Sequence, residues 1–290
     1  MRALRGGSNN FGIVTAFTMR AFEQTEYWGG IITRDTTRID RLFKGFEQIT
    51  GSPDYDPHAA MIFNIVWLPI IDSWIVIMIT TYTKAEVNPP FLRKMTSGPS
   101  LFNTMRIAKT SDFSEEIPRF YGSRQLQITG TYQNSASFMR VLYETTQDLV
   151  QPIRWVNGLQ FALSFQPLPS IVFSRAAAAG GNVLGFDEND GDLFMLLVDF
   201  TWIDEADDQL VNSQAKLIFQ EIDAKAQQLG LKHPYIYLNY AAPWQDPIDG
   251  YGAENREFLQ NVSWKYDHEG LFQKNVPGGF KVFRTANVTA

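Results

Sequence analysis

The sequence contains no cysteine. That removes disulfides, thiolate metal sites and a catalytic thiol together, and leaves the redox compartment open. Histidine is almost as scarce: His58, His233 and His268 lie far apart and none stands in a ligand motif, so the chain offers no histidine-based metal centre. Basic charge is not in excess, with 25 Lys and Arg against 31 Asp and Glu and a net charge of -6. With no basic cluster either, a nucleic-acid footprint is not expected. Long apolar runs are missing too; the longest, around Trp74 to Ile79, is far too short to span a bilayer. A signal peptide is not expected at the start, because Arg2, Arg5 and Gly6-Gly7 interrupt any apolar core. Two glycosylation triplets, Asn261-Val-Ser263 and Asn287-Val-Thr289, are weak evidence for secretion, since such triplets arise often by chance. The first also falls in a predicted helix.

What is present is ordinary apolar content, 44%, and a high aromatic share, 14%, with 22 Phe. The 290 residues suit one large domain or two small ones. The many phenylalanines point to broad packed surfaces or an aromatic pocket. Alternation predicts strands at 13–21, 27–33, 58–67, 73–82, 125–132, 158–166 and 194–202. A helix with Ile39, Leu42, Phe43, Phe46 and Ile49 on one face is capped by Thr36 or Thr37. A second follows Ser135, with Phe138, Val141, Leu142, Thr145 and Leu149 inward. A third runs from Asp207 to Leu229, with Leu210, Leu217, Ile218, Ile222 and Leu229 inward and Gly230 as its stop signal. From Glu86 to Asp112 the pattern weakens into a long connection. Strands and helices without a Rossmann-like alternation predict an α+β layer, helices on one side of an antiparallel sheet.

Two strand residues are candidate substrate contacts. In the strand ending at Pro167, Phe161, Leu163 and Phe165 share one face and Gln166 lies on the other, polar face. That face is either solvated or lines a pocket. Asp199 stands in an apolar strand; it is edge-placed, salt-bridged, or in a closed pocket able to assist proton transfer.

The last third holds the most informative stretch, Tyr235-Ile236-Tyr237-Leu238-Asn239-Tyr240. Read as a strand, it places Tyr235, Tyr237 and Asn239 on one face and Ile236, Leu238 and Tyr240 on the other. Tyr251-Gly252-x-x-Asn255, Lys265-x-Asp267 and Leu271-Phe272 follow. Near the start, Arg5-Gly6-Gly7-Ser8-Asn9-Asn10-Phe11-Gly12-Ile13-Val14-Thr15 is a turn whose free amides can hold an anion. These two motifs, in this order, resemble berberine-bridge-enzyme-like FAD-linked oxidoreductases of the vanillyl-alcohol oxidase superfamily, the fungal branch above all. His268 replaces the proline usual in the family's turn.

The resemblance implies a PCMH-type FAD-binding domain made partly by the flanks. Residues 1–26 would end that domain, 27–230 would form the substrate-binding domain, and 231–290 would return to the FAD domain. It implies FAD as cofactor, with Gly6, Gly7, Asn10, Gly12, Tyr237, Asn239 and Asn255 around it, and a small-molecule substrate with O2 as acceptor. Tyr240 occupies the position of the family's catalytic base. A tyrosine with a pKa of about 10 needs roughly 3 units of lowering, or ~4 kcal/mol, to act as a base near neutrality. The family's N-terminal FAD subdomain, with its flavin-linking His, has no counterpart here. The chain is therefore either the latter part of an FAD oxidase acting on an alcohol, sugar or specialised metabolite, or a non-catalytic binding module unable to hold FAD alone. Its flanks would then expose apolar surface.

Overall fold

The computed structural model describes residues 1–114, 116 and 122–283. After a 3-10 turn at Arg2–Leu4, the chain runs without regular structure from residue 12 to 26. The strand expected at 13–21 does not form. A strand must place its amides and carbonyls on a neighbour, and no described strand pairs with this segment. Its side chains stay exposed, Phe17 at 80% and Met19 at 85%.

The sheet starts with β1 (Tyr27–Asp35), followed by α1 (Ile39–Thr50), β2 (Ala59–Leu68) and β3 (Ser73–Tyr82). The expected structureless connection holds α2 (Arg93–Thr96), β4 (Phe102–Asn103), β5 (Arg106–Ala108) and α3 (Thr110–Ser114). Strands of two and three residues are too short to show alternation, yet both pair with β1 and cover its outer edge. Then come β6 (Arg124–Gln133), α4 (Ala136–Val150), β7 (Gln160–Leu168), α5 (Ile171–Ala178), β8 (Leu193–Trp202) and α6 (Asp208–Gln228). The described chain closes with β9 (Lys232–His233), α7 (Ala253–Tyr266) and α8 (Leu271–Lys274). The triplet at Asn261 lies within α7; that at Asn287 lies outside the described residues.

The strands form one antiparallel sheet in the order β4-β1-β3-β2-β7-β8-β6-β9, with β5 also on β1. The α+β expectation therefore holds. Helices α1, α4 and α6 cover one face. Every second strand residue points into that layer. Phe63, Phe165 and Phe194 meet Phe43 and Phe46 of α1 there, all of them buried, with ring centroids 5.6–6.5 Å apart. Offset and edge-on ring contacts add specificity to the burial itself.

Three local expectations change. Thr37 does not cap α1, because its amide and hydroxyl both engage the Asp35 carboxylate; the helix starts after Arg38 with no side-chain cap. In α6, Leu210, Leu217 and Leu229 face outward, and the inward stripe is Val211, Ala215, Ile218, Phe219, Ile222 and Ala226. Two alanines let the helix lie close to its neighbours, which leucine-first reading of the stripe misses. Finally, Tyr235–Tyr240 is not a strand. β9 stops at His233 because Pro234 has no N–H to continue the ladder. The amide and carbonyl of Thr129, which that strand would have engaged, are taken instead by the Gln245 side chain at 3.2 and 2.8 Å. Leu238–Tyr240 becomes a 3-10 turn.

Phe46 has no exposed surface and touches Phe63, Phe165 and Phe194. Phe46→Ala is expected to lower unfolding stability by about 3–5 kcal/mol. Equilibrium urea denaturation checks this; a loss under about 1 kcal/mol would show that the aromatic layer is not the core.

Candidate functional site

Among the described residues, no layer of long helices covers the other sheet face, which holds mixed side chains. Strand register sets them in rows across neighbouring strands. One row reads Ile75, Val66, Ala162, Asp199 and Gln127; the next reads Ile77, Asn64, Ser164, Leu197 and Thr129. Gln166 and Met195 pair in a third. The register puts Gln166 and Asp199 on the same open face, but Asp199 lies four residues along β8 from Met195, or ~13 Å. Asp199 is neither at a sheet edge nor salt-bridged among the described residues. It accepts a hydrogen bond from Gln127. Burial pushes its pKa up to about 6, and the Gln127 bond pulls the other way.

The flanks pack together in a second small core. Ala3 comes from one end, Tyr235, Ile248, Tyr251, Leu259 and Val282 from the other, and Val183 from between β7 and β8. Asn10 fastens this core. It is fully buried, its amide donates to the carbonyls of Gly7 and Phe280 at 2.8 Å each, and its side-chain oxygen accepts from Gln273 at 3.0 Å. Gly6 and Gly7 hold the turn in shape. The Tyr251 hydroxyl donates to the Gly6 carbonyl at 3.1 Å, and a Cβ on Gly7 would stand 2.3 Å from the Ala3 carbonyl oxygen. Gly12 is exposed with open space around it.

Between this second core and the sheet lies a cavity of about 630 Å³, within the roughly 300–1,000 Å³ usual for small-molecule sites. Leu168 and Met195 bring the sheet to it, Tyr235, Tyr237 and Asn255 the C-terminal flank, and Arg2 the N-terminal flank. Of the expected cofactor residues, Tyr237 and Asn255 line it, whereas Gly6, Gly7, Asn10, Gly12 and Asn239 do not. Asn255 is held in place: its amide donates to the Tyr251 carbonyl at 3.0 Å and its oxygen accepts from Arg2 at 2.6 Å. One wall is aromatic. Phe173 stacks on Phe186 at 4.4 Å and 7°, and Phe186 meets Tyr235 at 4.3 Å. Burial raises the Tyr235 hydroxyl far above its ordinary range, so it stays neutral.

Tyr240 stands beside the cavity rather than in its wall. Its ring lies edge-on to the Tyr237 ring, with centroids 4.8 Å apart at 85°. The Asn239 amide donates to the Tyr237 hydroxyl at 2.9 Å. The 3-10 turn thus gathers Tyr237, Asn239 and Tyr240 into one cluster, which an extended strand would have split between two faces. Ala241, next in sequence, lines a separate groove with Gln125, Gln127 and Pro243. Gln127, in that groove, is the partner of Asp199.

Sequence reading missed the segment 180–186. Gly180, Gly181, Asn182 and Gly185 form a lip of the cavity with Phe186 behind them. Gly185 has a left-handed φ of 81°, and a Cβ there would lie 2.6 Å from the Tyr251 carbonyl oxygen. Glycine is thus required for the lip to approach the C-terminal flank. The paired glycines after a run of alanines were the available signal. Among the described residues there is no metal-binding group of His, Asp and Glu, and no helix long and apolar enough to cross a membrane.

No protein-family model matches the chain. It is 35% identical over 289 residues to an FAD-dependent monooxygenase of Emericella nidulans, a match covering 98% of this chain and 60% of that protein. It is 31% identical over 300 residues to an FAD-dependent monooxygenase of Phaeosphaeria nodorum, covering 97% of this chain and 85% of that one. The solved structure of Physcomitrella patens BBE-like 1 superposes with a TM-score of 0.64 at 12% identity, covering 97% of this chain and 59% of that chain. The chain thus spans about 60% of the Emericella relative's length.

Asp199 binds its proton more tightly in the folded chain, at about 6, than in the unfolded chain, at about 3.9. Its contribution to stability is therefore greatest below about pH 4 and is lost as pH rises toward about 6. Asp199→Asn is expected to stabilise the chain relative to the parent by on the order of 2 kcal/mol more at about pH 7.5 than at about pH 4. Urea melts at the two pH values measure the difference; equal effects would mean that Asp199 is as well solvated as in the unfolded chain.

Proposed function

Given that the chain belongs to a family of fungal FAD-dependent oxidoreductases and shares the fold of a BBE-like protein, we propose that it oxidises an alcohol-bearing small molecule, a sugar or specialised metabolite, at the open face of its sheet. The observation that carries this reading is the convergence of both flanks and the sheet on one cavity, with Tyr237 in its wall and Tyr240 against Tyr237. Residues 27–230 then act as the substrate layer, and residues 1–26 and 231–290 as the contribution to an FAD-binding domain.

The residues fit the cofactor. The cavity offers an aromatic wall, a glycine lip open to close approach, and polar heads from Arg2 and Asn255, which suits a planar heterocycle with polar edges. When bound, FAD would supply a hydride acceptor, with O2 as the final oxidant. The protein handles the proton. Tyr240, as its phenolate, accepts it from the substrate hydroxyl as the carbon–hydrogen bond breaks, and the product is a carbonyl compound. Tyr237 holds the Tyr240 ring through the edge-on contact, and the Asn239 amide fixes the Tyr237 hydroxyl. Gln166 and the Asp199–Gln127 pair position the substrate across the face, and Asp199 near neutrality is a second proton acceptor within that face. Gly6, Gly7, Asn10 and Gly12 act on the cofactor indirectly, through the turn they build.

The relatives are named monooxygenases, which favours a second reading in which an oxygen atom enters the product. Isotopically labelled O2 separates the two: label in the product supports oxygen insertion, and label only in peroxide or water supports oxidation.

The test of the first reading is anaerobic bleaching of enzyme-bound flavin during a screen of alcohols and sugars. Tyr240→Phe is expected to slow bleaching by on the order of 10²–10⁴-fold with little change in flavin retention. A Tyr240→Phe protein as fast as the parent would remove Tyr240 from the chemistry.

A further inference from the structure

Where β1 ends and α1 begins, a hollow of about 220 Å³ is lined by Arg34, Arg38 and Arg41, with Thr37 and Ser100 between them. It is remote from the cavity described above. β1 runs parallel to β2 and opposite to β7, so the ends of β1 and β7 lie at opposite ends of the sheet, with β3 and β2 between the strands.

The charges in this hollow do not balance. Three guanidiniums face one carboxylate, Asp35, and Asp35 already accepts from the Thr37 amide and hydroxyl. Arg34 is half-buried. One of its terminal nitrogens donates to the carbonyls of Thr96 and Ser97 at 2.9 and 3.0 Å, but its Nε is buried with no partner. Burial, and then the nearby positive charge of Arg41, hold the Arg34 guanidinium below its usual range. Arg41 has no ion-pair partner among the described residues. Three guanidiniums around one hollow, against one carboxylate among the described residues that line it, make its field strongly positive. α1 also starts here without a side-chain cap; its Ile39 and Arg41 amides donate to the Thr36 and Arg38 carbonyls, and its dipole favours negative charge.

We propose that this hollow is an oxyanion site that takes a dianionic phosphate group, as free phosphate or as a phosphate monoester. The excess of two positive charges matches a dianion. The guanidinium forks supply the paired donors that phosphate oxygens accept. Its distance from the cavity makes it a second ligand site rather than part of the reacting centre.

Titration calorimetry of the full 290-residue chain tests this. Inorganic phosphate and glycerol 3-phosphate are titrated separately, at constant ionic strength set with chloride. Saturable one-site binding of either is expected, and the ligand that binds more tightly identifies the source. Arg38→Gln/Arg41→Gln is expected to weaken binding by at least roughly tenfold, and Arg41→Lys, which keeps the charge and loses the fork, by less. Both arginines are exposed, so the variants should melt as the parent does. No saturable heat from either ligand would overturn the proposal. So would binding unchanged in the double variant.

Discussion

The buried aromatic layer between the sheet and α1, α4 and α6 fixes everything else in this molecule. A slip of one residue in any strand would turn its phenylalanines outward and its polar residues inward. With Phe63, Phe161, Phe165, Phe194 and Phe200 all held at 0% exposure, such a slip is prohibitively costly. The opposite face is then set without any further choice. Asp199, Gln127, Ser164 and Gln166 share it because their neighbours in sequence are committed to the core. The open face of this sheet is a by-product of its closed one.

The C-terminal flank depends on a smaller constraint. Pro234 ends the last strand, and Gln245 supplies from a side chain the edge contacts that the backbone no longer makes. The freed chain folds into the turn that gathers Tyr237, Asn239 and Tyr240. The same flank meets residues from the start of the chain around Asn10. One cavity therefore collects side chains from both ends and from the sheet between them, although the two ends are more than 200 positions apart in sequence, as Arg2 bonding Asn255 illustrates.

Long strands and the amphipathic stripe of α1 were legible in the sequence, because a period of two or 3.6 residues leaves a pattern that burial alone explains. Ser135 capping α4 through the Phe138 amide was legible for the same local reason. The elements that depend on remote partners were not. The segment 13–21 alternates like a strand but pairs with nothing described. Tyr235–Tyr240 has strand-favouring residues but loses its ladder to Pro234 and Gln245. In α6, alanines rather than leucines face the core. For the site, sequence reading supplied Tyr237 and Asn255 of the cavity wall and put Gln166 on a polar strand face; that Asp199 shares that face follows from strand pairing. It assigned no role to the glycine lip at 180–185 or to Arg2, since their value lies in close approach between segments distant in sequence.

The proposed flavin site is the cavity between sheet and flanks. The most direct measurement is the visible absorbance spectrum of the chain after addition of FAD and removal of the unbound fraction. The account predicts a retained flavin band shifted from that of free FAD, and weakened when Tyr237→Ala or Asn255→Ala alters the cavity wall. A chain that retains no flavin, or that retains it equally in both variants, would contradict the assignment of this cavity to the cofactor.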